Sequence, residues 1–191
     1  MNNILHATFD NAEEGIQAVE ALLHLGVGAE DISLILPESN PEVGHATATV
    51  SPLTTVPCDK RGASLYASIG EHSHEAVLDA GEGAGIGLAL GLLAALCLPG
   101  LALVAVPGIG LIAGSGIIIA QLMAGGAVAG GIIGGIYGLL IDRGVDHDVA
   151  LILSNHLEGG GTTLSITLSE KSEVADILDI LISNSGHIIE N

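Results

Sequence analysis

Apolar and polar residues alternate from Ile4 to Phe9, with Leu5, Ala7 and Phe9 on one side and His6 and Thr8 on the other, which predicts a strand. Asp10 stands three residues before Glu13, a capping-box-like helix start. Ile16, Val19, Leu22 and Leu23 follow at helical spacing, and Gly26 supplies a stop. Asp31 to Leu36 reads as a second strand. Pro37 to Gly62 holds four of the six prolines and many Ser and Thr, so it reads as an extended loop, with room for a short strand at 46–50. Residues 63–82 carry Leu65, Ile69, Ala76 and Leu78 and predict a lead-in helix. Near the other end, Asp146 can cap a helix with Val149, Ile152 and Leu153 as its buried face, stopped by Gly159-Gly160-Gly161. Thr162 to Leu168 alternates cleanly. Ser172 then precedes the amphipathic stripe of Val174, Ile177, Leu178, Leu181 and Ile182, Gly186 ends it, and residues 187–190 form a last short strand.

Between these ends the pattern vanishes. From Gly83 to Ile141, 59 residues pass without one Asp, Glu, Lys or Arg, and they include 26 Leu, Ile, Val or Met and 16 of the 28 glycines. Burying each large aliphatic side chain is worth ~1.5–3 kcal/mol, so hydrating them all would cost on the order of 40–80 kcal/mol, several times the ~5–15 kcal/mol that separates folded from unfolded protein, and the segment must be covered. A bilayer, sister copies or the rest of this chain can cover it. The last is the weakest choice, because about 130 flanking residues include much loop. Pro99-Gly100 and Pro107-Gly108 break the run, leaving Ile109 to Ile141 free of proline and long enough for a membrane-spanning helix. A helical hairpin with a bent or re-entrant tip is the expectation. Gly83, Gly87 and Gly91, the pair Gly110 and Gly114, and the series Gly126, Gly130, Gly134 and Gly138 recur every four residues. On helices each set forms a groove free of side chains, so these glycines are the candidate oligomerisation contacts.

The two ends match. Strand, helix, glycine and strand occur at 4–36 and again at 162–190, and two such units build a β-α-β-β-α-β, ferredoxin-like sheet. The expected fold is therefore α+β: a split ferredoxin-like domain interrupted by a long apolar glycine-zipper helical hairpin. Its parts are residues 1–36 as the first half, 37–82 as Pro/Thr-rich loop and lead-in helix, 83–141 as the hairpin, and 142–191 as an extra helix with the second half. Pairing of the halves returns both ends of the insertion to one side of any membrane.

Four stretches resemble a bacterial family of glycine-rich general-stress and low-temperature-induced proteins of unsettled function. They are Asp31-Ile32-Ser33 opening the second strand, Pro107-Gly108-Ile109-Gly110, the zipper from Ala124 to Tyr137, and Gly159–Gly161 before a strand. The resemblance covers about two-thirds of the chain. It implies a stress-linked, membrane-associated or self-assembling protein and transfers no catalytic residue.

Charge narrows the partners. Twenty-two acidic and four basic side chains give a net charge of −18, a field that repels phosphate backbones and excludes nucleic-acid binding. It also disfavours adhesion to anionic lipid, so membrane association has to come from insertion. There is no Trp, and Tyr137 is the sole aromatic of the apolar run, so no interfacial aromatic belt marks its ends. Cys58 and Cys97 suggest no disulfide framework, and Met1-Asn2-Asn3-Ile4 lacks the basic start of a secretory signal. The expected location is the bacterial inner membrane with the polar domain in the cytoplasm, or else a cytoplasmic assembly.

Little chemistry is offered. Gly108, Gly110 and Ala113 mimic a dinucleotide fingerprint, but the next acid is Asp142, too far on for a ribose contact, and no Walker lysine follows any glycine loop. No serine sits in G-x-S-x-G, and Cys58 beside Asp59 and Lys60 has no placed histidine. Glu71, His72, His74 and Glu75 crowd five residues, and Asp146-His147-Asp148 forms another cluster. His72 and His74 share a face only in extended backbone, where with Glu71 and Glu75 they are candidate ligands for zinc, nickel or copper; a solvated polar turn explains them more simply. The expected protein is non-enzymatic, holds no cofactor, and partners itself and a lipid bilayer. The alternative is a binding protein for an apolar ligand such as lipid or quinone, or for a transition metal.

Overall fold

A computed structural model of the protein describes residues 4–39, 55–57, 101–106, 110–114, 137–138, 140–141, 145–168 and 174–189. Strand β1 (Ile4–Phe9) leads into helix α1 (Ala12–Leu25). The helix is capped by Asn11, whose side chain accepts the Glu14 N–H at 2.9 Å, rather than by Asp10. Gly26 ends it in the left-handed conformation, its N–H returning to the Leu22 and Leu23 carbonyls. A 3-10 turn at Ala29–Asp31 starts β2 (Ile32–Pro37). Then come β3 (Thr55–Pro57), β4 (Ala102–Val106), β5 (Gly110–Gly114), helix α2 (His147–Glu158), β6 (Thr162–Thr167), helix α3 (Val174–Ser183) and β7 (His187–Ile189).

The fold is α+β, with the seven strands among the described residues in one antiparallel sheet of order β3-β4-β5-β2-β6-β1-β7. The two ends of the chain interleave. β6 lies between β1 and β2, pairing Ile4 with Thr167 and Ile32 with Ile166, and β7 pairs with the far side of β1.

Part of the expected helical hairpin is corrected here. Residues 102–106 and 110–114 are strands of a β-hairpin that extends the sheet from β2. Each is a short apolar run bounded by Pro-Gly or by glycine and rich in Val, Ile and Leu, as a strand buried on both faces requires. Gly110 and Gly114, expected on a helix, instead pair with Pro37 and Ser33 of β2. Gly110 has φ +129°, and a Cβ there would overlap the Leu36 carbonyl oxygen. That position demands glycine for a local backbone reason. This stretch of the apolar segment is covered by its own chain, the shield ranked lowest on sequence. Residues 137–138 and 140–141 are helical, while residues 83–100, 107–109, 115–136 and 139 of the expected hairpin, the lead-in helix at 63–82 and the short strand at 46–50 lie outside the described residues. Among those residues no helix is long and apolar enough to cross a membrane.

Helices clothe both faces. α1 and α3 cover one, packing Ile16, Val19, Leu22, Ile177 and Leu181 on Phe9, Leu34, Leu36, Leu103, Leu111 and Leu164. On the other face α2 lays Val149, Ala150, Leu153 and Leu157 over Ile35, Val104 and Ile112. The buried stripe of α2 is therefore rotated from the one expected: Ile152 is 49% exposed, and Ala150, Ser154 and Leu157 take its place. On α3, Ile177 and Leu181 are buried, whereas Val174 and Ile182 face outward.

Candidate functional site

Beneath the α2 layer the sheet changes character. Where β2, β4 and β5 show Ile35, Val104 and Ile112, the same face of β1 and β6 shows His6, Thr8, Thr163 and Ser165. Register sets these in two rows: Ser33, Ser165, His6 and Ile189 across β2, β6, β1 and β7, and Ile35, Thr163, Thr8 and His187 beside them. His6 is 1% exposed and Thr163 is fully buried. The His6 Nδ1 lies 2.9 Å from the Ser165 hydroxyl, joining residues 159 apart in sequence. Among the described residues its Nε2 is buried without a hydrogen-bond partner, and so is the Thr163 hydroxyl. Desolvation holds the imidazole below its ordinary pKa of 6.5, so the ring is neutral at pH 7.

A second histidine ties the layers together. His156 of α2 donates from Nε2 to the Phe9 carbonyl at 2.8 Å, at the end of β1. Gly161 makes room for it, since a Cβ at that position would overlap the imidazole. Within α2, the buried Ser154 hydroxyl donates back to the Ala150 carbonyl.

Serine beside histidine is the geometry of an activated nucleophile, yet among the described residues no carboxylate orients the imidazole, and the hydroxyl meets it within a sheet rather than at an open turn. The seam is suited to holding strands together and to binding or releasing a proton.

Of the residues singled out by sequence, Glu71, His72, His74 and Glu75, and Gly83, Gly87, Gly91, Gly126, Gly130 and Gly134, lie outside the described residues. Gly138 sits in a short helical piece with Tyr137, and a Cβ there would meet no described atom within 4 Å. His147 begins α2, its Nδ1 2.6 Å from the Tyr137 hydroxyl and its ring tilted 47° to the tyrosine. Asp146 caps the helix by accepting the Asp148 N–H at 2.9 Å. Among the described residues no three His, Cys, Asp or Glu gather as metal ligands. Sequence reasoning missed His6. Its signal was the extra helix beyond the two strand–helix–strand units, whose apolar stripe needed a sheet face to cover.

No family model, curated protein or solved structure matches the chain.

Proposed function

We propose that the chain is a non-enzymatic, stress-linked, self-assembling protein built on a split ferredoxin-like sheet. Its uncharged glycine-zipper arms insert in the bacterial inner membrane or pack against those of sister copies. The observation that supports this reading is where the chain joins and leaves the sheet beside the two arms. The uncharged run 83–100 leads into β4 at Ala102 and the run 115–136 leaves β5 at Gly114, and these two residues are register partners. The chain therefore leaves the sheet for both arms at neighbouring positions, which suits the arms to pack on each other and on those of sister copies. In the membrane-inserted form the polar domain faces the cytoplasm.

Replacing Gly130 and Gly134 together by Leu tests it, because large side chains fill a groove that close helix approach needs. The expected result is a smaller particle by light scattering, or loss of protein from the membrane fraction after cell fractionation. Particle size and fractionation identical to the unaltered protein would rule the reading out. Extraction of a bound lipid or quinone, or of zinc, nickel or copper, from the purified protein would favour a binding role instead.

A further inference from the structure

We infer that the His6–Ser165 contact is an acid-sensitive latch between the two halves of the chain, shut while the imidazole is neutral and released when it takes up a proton. It joins β1 of the first half to β6 of the second, both of them strands with a neighbour on either side. If Ser165 donates to Nδ1, then Nε2 already carries a hydrogen; if Nδ1 donates, Nε2 is the free base. In both cases the protonated ring bears an Nε2–H with no acceptor among the described residues, in a site that is 1% exposed. A buried charge without a partner is among the costliest groups a fold can hold.

Nothing described nearby offsets that charge. On the same face lie Thr8 from β1, Thr163 and Ser165 from β6, Ser33 and Ile35 from β2, and Ile189 and His187 from β7. His187 is exposed and is itself a base. From α2 the buried residues are Val149, Ala150, Ser154, Leu153 and Leu157, while His156 is committed to the Phe9 carbonyl and Asp148 and Glu158 are exposed.

The direction follows from linkage. The folded-state pKa is depressed, so above pH 6.5 both states are neutral and the latch has its full strength. As pH falls below 6.5 the unfolded chain binds a proton that the folded one refuses, and stability declines until the folded pKa is reached. Asp31 acts in the opposite sense. Burial and the neighbouring Glu30 raise its pKa, so the fold gains stability as pH drops through that raised value toward 3.8.

Urea unfolding of the full chain and of His6→Gln, from pH 7.5 to 5.5, tests the inference. Gln keeps a hydrogen-bonding group but does not titrate. The unaltered protein is expected to gain up to about tenfold in its unfolding equilibrium constant per pH unit below 6.5, relative to the variant. Equal pH dependence in the two proteins overturns the latch. Should the variant fail to fold, the His6 ring resonance of the unaltered protein decides: a titration midpoint below 6.5 supports it, and one at or above 6.5 overturns it.

Discussion

Gly110 shows how one residue can carry a constraint that its sequence context hides. It belongs to a four-residue glycine spacing that suggests helix contact, yet its requirement is set by the backbone of β2. With φ at +129° and the Leu36 carbonyl oxygen where a Cβ would sit, alanine is excluded both by conformation and by space. Gly110→Ala is therefore expected to destabilise the sheet by at least about 2 kcal/mol, since a strained backbone alone costs ~1–3 kcal/mol. The measurement is the urea midpoint by circular dichroism. His6 carries the converse lesson. Alternation in β1 separates it from Leu5, Ala7 and Phe9 and suggests a wet face, whereas in the fold His6 is buried.

At the scale of elements, period decided what could be read. β1 and β6 alternate, β2 is a short apolar run closed by Pro37, and α1 and α3 show stripes, so they and their pairing across the chain were legible in the residues themselves. β4 and β5 were not. A strand buried on both faces has apolar residues at every position, and Leu101 to Val106 is then indistinguishable by periodicity from a piece of buried helix. α2 was legible as a helix but not in its orientation, because Leu151 and Ile152 stand beside Leu153 and only packing chooses among them. The candidate site was less legible still, since it arises from register between strands more than 150 residues apart. If β4 and β5 are part of the domain core, Leu111→Ala should cost about 2–5 kcal/mol, as for other fully buried leucines. A change below about 1 kcal/mol in the unfolding free energy of the sheet would place the β-hairpin outside it.

For the whole molecule, electrostatics and topology matter most. All four lysines and arginines lie outside the described residues, so apart from histidines every described charged side chain is a carboxylate. Self-repulsion of this kind is screened within about 8–10 Å at 0.10–0.15 M salt. Raising sodium chloride from about 0.02 M to 0.5 M should therefore raise the melting temperature by about 2–4 °C, the shift expected from ~1 kcal/mol in a chain of this size. A melting temperature that falls with salt would show that attractive ion pairs dominate. The central place of β6 has a temporal consequence as well. It fills the slot between β1 and β2, and residues 38–161 are synthesised after β2 and before it. At ~5–20 residues per second the slot stands vacant for about 6–25 s on the ribosome. Both uncharged arms thus emerge while the platform meant to tether them is unfinished, so a translating chain meets lipid, a chaperone or a neighbouring nascent chain before it can meet its own completed sheet.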